Sequence, residues 1–262
     1  MFNESSINEV AGLIRSKGGV VALTGAGISV DSGIPDFRSP HGLWTKYDPM
    51  EYATIQAFRK NPSKVWNFFL DLEPLKNSKP NKGHEALRAL EDMGYLSDVI
   101  TQNIDSLHTT AGNTKVIELH GNTRALQCIE CLAEFGMGDF RHVAQKDLPP
   151  KCPSCGGLIK PAVILFGEPL PMKAIEMATK AASKAKILLT VGTSGMVSPA
   201  NIFPAVAKEH GAIIVEVNLE KTTLTKTITD YFLMGSSSKI LPELVKALGN
   251  CRKDSRSDDL LF

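Results

Sequence analysis

Residues 25–44 read GAGISVDSGIPDFRSPHGLW, and they follow the short apolar run VVAL at residues 20–23. An apolar run of this kind predicts a buried parallel strand. Gly25 and Gly27 would then lie at the carboxyl end of the strand, where backbone N–H groups can approach a pyrophosphate closely. Val30 stands where the G-x-G-x-x-G pattern has its third glycine, so a tight turn without a ligand is the alternative interpretation.

The second half of this stretch favours a ligand. Residues 36–38 are Asp-Phe-Arg, and the loop that carries them is rich in glycine and proline. An aromatic ring and an arginine on such a loop suit a lid that closes over a charged, planar molecule.

Four more apolar runs follow along the chain, at residues 99–101, 116–119, 187–191 and 213–217. Each run ends in small or polar residues, and these endings are residues 102–105, 120–122, 192–194 and 218–220. Apolar runs that alternate with helical segments predict an α/β fold, with a Rossmann-like, doubly wound parallel sheet and a ligand at the carboxyl ends of its strands.

Two segments before the second strand show the spacing of amphipathic helices. Residues 5–17 predict one helix, with Ser5 or Ser6 as its N-cap. Residues 48–94 predict several short helices, because prolines interrupt the pattern at positions 62, 74 and 80. The aromatic residues of this segment, Trp66, Phe68 and Phe69, are expected to pack in the core and not to form a binding cage.

The composition is that of an ordinary globular protein. Hydrophobic residues make up 43% of the 262 residues and charged residues 22%. The 29 basic and 28 acidic side chains leave no net field that would recruit nucleic acid or a membrane surface. No apolar run approaches the ~20 residues that span a bilayer, and the first residues lack the basic start and apolar core of a signal peptide. We therefore expect a cytoplasmic protein.

Four of the five cysteines form two C-x-x-C pairs, Cys128 with Cys131 and Cys152 with Cys155. Two such pairs supply the four thiolates that a structural zinc ion takes, and they leave no coordination position for a substrate. A redox dithiol or a chance pairing is the alternative. Cys251 lies outside the pattern and is expected to be a free thiol, within a loose, polar tail at residues 250–262.

Three polar residues end two neighbouring predicted strands, so they can converge on one crevice. Asn103 and Asp105 can hydrogen-bond a carboxamide or a ribose, and His120 can accept a hydroxyl proton near neutral pH. For each residue alone, capping of a strand end is the alternative. His84 and His108 are expected on the surface or in helix packing.

Residues 163–171 read VILFGEPLP and predict an extended segment that ends in a turn. An exposed strand edge beside glycine and proline can accept a peptide by strand addition. An ordinary edge strand is the alternative.

Seven motifs of the chain resemble those of the sirtuins, the NAD-dependent protein-lysine deacylases, and they occur in the same order. They are GAGIS with SGIPDFR, TQNID, the His-Gly of ELHGN, the two C-x-x-C pairs, FGE with LP, GTS, and VNLE. The resemblance covers residues 20 to 248. It implies a large Rossmann-like lobe (residues 1–40, 93–121 and 162–249), a helical module (41–92) and a zinc-binding module (122–161).

The resemblance also implies roles for individual residues. Those implied to bind NAD are Gly25, Ala26, Gly27, Ser29, Asp36, Phe37, Arg38, Trp44, Gln102, Asn103, Ile104, Asp105, Gly192, Thr193, Ser194, Asn218, Leu219, Glu220 and Ser237. Those implied to bind the acyl-lysine peptide as an added strand are His120, Val163, Leu165, Phe166, Gly167, Glu168, Gly195, Met196 and Val197. The implied catalytic residues are His120, Asn103 and Asp105, with His120 as the general base.

The implied reaction transfers the acetyl group of acetyl-lysine to ADP-ribose. Its products are free lysine, nicotinamide and O-acetyl-ADP-ribose, and the zinc ion holds the small lobe without taking part. Two alternatives use the same pocket, namely a mono-ADP-ribosyltransferase or NAD hydrolase, and a non-catalytic module that binds NAD or ADP-ribose.

The chain departs from the family pattern at two places. Sirtuins that prefer succinyl-lysine carry a Tyr and an Arg three residues apart in the helical module, and these positions are Phe69 and Leu72 here. We therefore expect an apolar acyl channel that excludes acidic acyl groups. Gly195 also stands where the family usually has a larger residue.

Overall fold

Six parallel strands form the main sheet, in the order β3-β2-β1-β7-β8-β9. The structure is a computed structural model that describes residues 4–72, 77–140 and 147–254, with side chains described up to residue 249. The strands are β1 (Val20–Thr24), β2 (Leu96–Thr101), β3 (Val116–Glu118), β4 (Gly121–Cys128), β5 (Glu134–Gly136), β6 (Ile159–Val163), β7 (Ile187–Val191), β8 (Ile213–Asn218) and β9 (Tyr231–Met234).

The helices of the described residues alternate with these strands. They are α1 (Glu4–Lys17), α2 (Pro49–Tyr52), α3 (Ile55–Lys60), α4 (Pro62–Asp71), α5 (Lys82–Asp92), α6 (Leu107–Thr110), α7 (Met172–Lys184), α8 (Ile202–Glu209), α9 (Thr223–Thr227) and α10 (Ser237–Asp254). Short 3-10 turns cover Ala26–Ile28, Val30–Ser32 and Leu43–Thr45. Pro62 begins α4, and Pro80 precedes the Asn81 cap of α5, so both prolines separate helices as expected.

Burial on both faces explains why the strands of the main sheet are apolar runs. All five residues of β1 and all five of β7 are buried. The helices α1, α5 and α10 cover one face, around Ile14, Leu87 and Leu244. The helices α7 and α8 cover the other face, around Ala178 and Phe203. The doubly wound α/β architecture predicted from the sequence is therefore confirmed.

The strand order reverses between β1 and β7. The chain runs outward from β1 to β3 on one side and from β7 to β9 on the other. The loops that follow β1 and β7 consequently diverge from a common point at the carboxyl edge of the sheet. Open α/β sheets bind their ligands at such a switch point.

A smaller antiparallel sheet, in the order β5-β4-β6, packs against α2 to α4. Phe58, Trp66 and Phe69 share one hydrophobic core with Leu126 and Ile159 of this sheet. The indole N–H of Trp66 donates to the carbonyl oxygen of Ile159 at 2.7 Å. Core packing of the aromatic cluster is confirmed by this shared core, but Phe68 and Phe69 also line the cleft between the two sheets. The helical segment and the cysteine segment thus fold around one core.

Two predictions of secondary structure were wrong in detail. The helix α1 already begins at Glu4, so Ser5 and Ser6 lie inside it and neither is its N-cap. The helix α10 continues to Asp254, so the tail is helical over its first five residues, and residues 255–262 lie outside the described part. The extended segment predicted from Val163 is confirmed: it continues beyond the end of β6, forms a parallel bridge between Phe166 and Thr54, and ends in a turn at Gly167.

Within the described residues, no helix combines the length and apolar character needed to cross a membrane.

Candidate active site

Two glycine loops pack against each other at the switch point. The N–H groups of Gly25 and Gly27 donate to the carbonyl oxygens of Val191 and Gly192, at 3.0 and 2.9 Å. A Cβ on Gly27 would lie 2.7 Å from Gly192 Cα, and a Cβ on Gly192, which has φ of +57°, would lie 2.5 Å from Ile28 N. Only glycine fits this contact. The contact therefore leaves backbone without side chains at the end of β1, and we call this backbone the cradle.

Three polar side chains lie on the floor beside this cradle. The hydroxyl of Ser29 donates to Asp105 Oδ2 at 2.7 Å. The amide of Asn103 donates to the carbonyl oxygen of Gly25 at 3.1 Å and to Ser29 Oγ at 3.3 Å. The other oxygen of Asp105 accepts from Leu107 N, at the start of α6. The structure thus joins the end of β2 to the glycine loop through a network of fixed donors and acceptors.

The imidazole of His120 lies at the end of β3, beside the end of β2. Its Nδ1 atom is 2.9 Å from the carbonyl oxygen of Gln102. Burial lowers the pKa of His120, and the hydrogen bond to Gln102 opposes this effect in part. A neutral ring that is protonated on Nδ1 leaves Nε2 free to accept a proton.

The opposite side of the cradle is tied together by side-chain amides. Gln102 Nε2 donates to Thr193 Oγ1 at 2.9 Å, and Asn218 Nδ2 donates to the carbonyl oxygen of Thr193 at 3.0 Å. These bonds connect the ends of β2, β7 and β8.

The Asp-Phe-Arg loop lines the same cleft as the cradle. Its two ends are joined by bonds from Leu43 N to Asp36 O and from Trp44 N to Phe37 O. The rings of Phe37 and Trp44 pack with centroids 5.1 Å apart. Asp36 Oδ1 accepts from the backbone of Arg38, so the aspartate shapes the loop that presents the arginine.

These parts line one cleft of about 1420 Å³ between the two sheets. Most of the residues singled out in the sequence lie on its wall: Gly25, Ala26, Ser29, Asp36, Phe37, Arg38, Trp44, Gln102, Asn103, Ile104, Asp105, His120, Val163, Leu165, Phe166, Gly167, Glu168, Gly192, Thr193, Ser194, Met196, Val197, Asn218 and Glu220. Four do not line the cleft, namely Gly27, Gly195, Leu219 and Ser237.

Each of these four has a different environment. Gly27 lies behind the cradle, against Gly192, and Gly195 packs on Leu224. Leu219 is exposed, and the buried hydroxyl of Ser237 has no hydrogen-bond partner among the described residues.

The irregular segment after β6 forms the far wall of the cleft. Phe166 N donates to the carbonyl oxygen of Ala53 at 2.8 Å, and Ile55 N donates to that of Phe166 at 3.0 Å. The segment is thus bridged to the start of α3. The ring of Phe166 is half exposed, whereas Val163 and Leu165 are buried in the core of the small lobe.

The two C-x-x-C pairs meet in two similar turns. The sulfur atoms of all four cysteines lie within 4.8 Å of one another. Cys128 Sγ is 3.5 Å from Cys155 Sγ, and Cys131 Sγ is 3.7 Å from Cys152 Sγ. A tetrahedron with Zn–S bonds of about 2.3 Å has edges of about 3.8 Å, so the four thiols fit a zinc ion.

The backbone around the cysteines supports the same interpretation. Glu130 N donates to Cys128 Sγ and Gly157 N to Cys155 Sγ, both at 3.4 Å. A Cβ on Gly157 would lie 2.9 Å from Cys128 Sγ. The site is a closed set of four sulfur ligands, and it has the geometry of a structural centre.

His84 and His108 form a buried pair behind the floor of the cleft, with ring centroids 4.9 Å apart. Burial lowers the pKa of His84 to about 4 and that of His108 to about 3. His108 Nε2 is 2.9 Å from Thr24 Oγ1. Both rings pack between helices and are neutral, so the helix-packing expectation is confirmed and the surface one is wrong.

The family model described as "Sir2 family" matches residues 25–199 of the chain. The chain belongs to the Sir2 family. An NAD-dependent protein deacylase of Pyrococcus abyssi is 46% identical over 243 residues, which cover 91% of this chain and 96% of the relative.

Solved Sir2 structures share the fold over almost the whole chain. A Sir2 homologue in complex with NAD has a TM-score of 0.83 at 40% identity, covering 93% of this chain and 94% of that one. A Sir2 variant with a deacetylated p53 peptide and 3′-O-acetyl-ADP-ribose has a TM-score of 0.83 at 34% identity, covering 92% of this chain and 97% of that one. Sir2Af2 with a myristoylated histone peptide has a TM-score of 0.77 at 34% identity, covering 96% and 99%.

The cleft of this Sir2 protein also contains residues that the sequence did not single out as a site. Arg124 lines it while paired with Glu118 through two bonds of 2.8 Å. Lys221 and Lys226 lie on its rim. These residues follow no motif, and only the folded arrangement brings them to the cleft.

Proposed function

We propose that this protein removes acyl groups, with acetyl as the first expectation, from lysine side chains of proteins and consumes NAD as co-substrate. The reaction consumes one water molecule, and its products are free lysine, nicotinamide and O-acetyl-ADP-ribose. One observation carries the proposal. The imidazole of His120, which is oriented by Gln102, lies in the same cleft as the glycine cradle and the segment after β6, residues 164–168. A module that only bound a nucleotide would not need a base between these two halves.

The cradle fits the phosphates of NAD because bare backbone at a strand end can approach an anion closely. Ser29, Asn103 and Asp105 form the polar floor on which the nicotinamide and its ribose are expected to rest. Thr193, Asn218 and Glu220 line the end of the cleft assigned to the adenosine. Phe37 and Arg38, on the loop above, exclude water when the site is filled.

NAD supplies a ribose carbon whose bond to nicotinamide breaks as the acyl oxygen of the substrate attacks. The protein orients this step by holding the acyl-lysine chain between the apolar side chains of Phe68, Phe69 and Leu165. His120 then accepts the proton of a ribose hydroxyl through Nε2, while Gln102 O keeps the opposite ring nitrogen protonated.

The zinc ion is expected at Cys128, Cys131, Cys152 and Cys155, where it stabilises the small lobe. We infer a cytoplasmic location from these four unpaired thiols, because reducing compartments preserve them as metal ligands. The partner is an acyl-lysine segment of another protein, bound as an added strand.

Product analysis separates this function from its alternatives. The protein is incubated with NAD and an acetyl-lysine peptide, and both peptide and nucleotide products are identified by mass spectrometry. Deacetylated peptide with an equal amount of O-acetyl-ADP-ribose is expected. An ADP-ribosylated peptide would indicate a transferase, free ADP-ribose alone a hydrolase, and unchanged NAD a binding module.

A further inference from the structure

Lys160 is a buried lysine in β6, an edge strand of the small sheet. Its side chain is 1% exposed. Burial lowers the pKa of Lys160, and the charge of Glu168 opposes this effect. An ammonium group is costly to bury unless it is paired and hydrogen-bonded. The reaction assigned to the cleft does not use this lysine, so its partners indicate its role.

Lys160 and Glu168 bond to the backbone between them. Lys160 Nζ donates to the carbonyl oxygen of Val163 at 2.6 Å and lies 3.1 Å from Glu168 Oε2. The same carboxylate oxygen accepts from Leu165 N at 2.7 Å. Glu168 N closes the turn by donating to Leu165 O at 3.0 Å. The carboxylate of Glu168, a residue expected to contact the peptide, is thus bonded to Lys160 and to the backbone of Leu165.

The hydrogen bonds made by the backbone of residues 163–166 alternate between the two sides of this segment. Ile164 N donates to His120 O, and both backbone groups of Phe166 pair with the start of α3. Successive residues of an extended chain direct their backbone groups to opposite sides. Val163 O and Leu165 N therefore point away from His120 and α3, towards the buried side chain of Lys160 and the carboxylate of Glu168.

The groups that remain free within residues 164–167 are the carbonyl oxygen of Ile164 and the N–H and C=O of Gly167, which have no partner among the described residues. Gly167 has φ of +89° and lines the cleft. The unpaired backbone groups that an incoming peptide meets in this segment therefore belong to Ile164 and Gly167.

We propose that Lys160 and Glu168 are positioning residues for the substrate peptide. Their ion pair fixes the backbone of residues 163–168, and it thereby sets the position of the unpaired backbone groups of Ile164 and Gly167 with which the peptide pairs. This inference rests on the proposed function, because it assumes that a peptide occupies the cleft.

The test measures peptide and nucleotide binding separately by titration calorimetry. Lys160→Met replaces the lysine by an unbranched side chain that is one atom shorter and carries no charge, and Glu168→Gln keeps an acceptor for Leu165 N. Because removal of one partner leaves the other charge buried alone, we expect each variant to weaken binding of an acetyl-lysine peptide by about tenfold or more. ADP-ribose affinity and kcat should change less than about twofold, so the effect appears in KM for the peptide.

Two further variants serve as controls. Lys160→Arg keeps the charge and should restore most of the peptide affinity. Arg59→Met breaks the exposed Arg59–Glu130 pair of the same lobe, at 3.0 Å, and should change little. The inference is overturned if Lys160→Met and Glu168→Gln bind peptide as Arg59→Met does, or if they lose ADP-ribose affinity in parallel. A wild-type protein that binds the peptide without deacylating it would contradict the proposed function instead.

Discussion

The Nδ1 atom of His120 lies 2.9 Å from the carbonyl oxygen of Gln102, so the backbone at one strand end orients the imidazole at the end of the next. A carbonyl oxygen accepts only, and the neutral ring therefore carries its proton on Nδ1. Nε2 is left as the basic atom. Burial lowers the pKa of this ring, which keeps it neutral at physiological pH.

His120→Ala is expected to lower kcat by about 10²–10⁴ while ADP-ribose still binds, because general base catalysis accounts for a factor of this size. The neutral ring is the active form and its pKa is lowered, so the acidic limb of the kcat/KM profile should lie below the ordinary value of 6.5. Steady-state kinetics from pH 5 to 9 measure the pH at which this acidic limb lies. Full activity of His120→Ala would show that His120 is not the general base.

The sheet and most of the cleft could be predicted because local sequence determines them. A strand buried on both faces, such as β1, must be an apolar run, and a loop that meets a phosphate needs glycine. The strand β9 was missed although its four residues, Tyr231–Met234, form a short apolar run like those of the other strands. The Lys160–Glu168 pair and the His84–His108 contact could not be predicted, because their distances depend on how turns and helices pack in three dimensions.

The zinc site predicts a metal-dependent small lobe. Elemental analysis should find one zinc per chain, and Cys152→Ala should lose it. Trp66 donates to Ile159 and shares a core with Cys128, so removal of zinc by a chelator should shift its fluorescence. A Trp44→Phe background leaves Trp66 as the single indole. Cys251→Ser is the matched control and should keep its zinc; folded, active protein without zinc would refute the site.

The contact between the glycine loops predicts that position 27 tolerates no side chain larger than that of glycine. Gly27→Ala places a methyl group 2.7 Å from Gly192 Cα, so the loops must separate. Such overpacking costs about 1–3 kcal/mol of unfolding free energy, and ADP-ribose affinity should fall with it. Gly12→Ala is the control, since its Cβ has nothing within 4 Å and alanine favours a helix. Chemical denaturation and calorimetry measure both effects, and an unchanged Gly27→Ala would contradict the packing argument.

The buried histidine pair predicts loss of stability in mild acid. The folded pKa values, about 4 for His84 and about 3 for His108, lie below the ordinary 6.5. The unfolded chain therefore binds protons that the folded chain excludes, and the unfolding free energy falls as the pH falls from 6.5 towards 4. Melting temperatures between pH 7.5 and 5 measure this decline.

His108→Gln should show a shallower decline, although its stability at pH 7.5 is lower by about 1–3 kcal/mol. The exposed His210 provides the control, and His210→Gln should keep the wild-type slope. Equal slopes in all three proteins would mean that other groups cause the acid sensitivity.

The acyl channel predicts a preference for neutral acyl groups. Phe68, Phe69 and Leu72 line the cleft, and Phe69 is buried with Leu165. A succinyl carboxylate in this channel would be buried without a charged partner, which costs several kcal/mol. We expect acetyl peptides, and longer neutral acyl peptides, to be accepted and succinyl peptides to be rejected.

Phe69→Tyr with Leu72→Arg should raise the ratio of kcat/KM for succinyl over acetyl peptide by about 10–100-fold, since hydrogen bonds to charged groups contribute roughly 1.5–3 kcal/mol. Leu72→Met in the same Phe69→Tyr background is the matched control and should leave the ratio near that of the wild type. Wild-type protein that already prefers succinyl peptide would contradict the prediction. Arg124 would then be the cation to test, because it lines the same cleft and can exchange Glu118 for the substrate, and Arg124→Gln should abolish that activity.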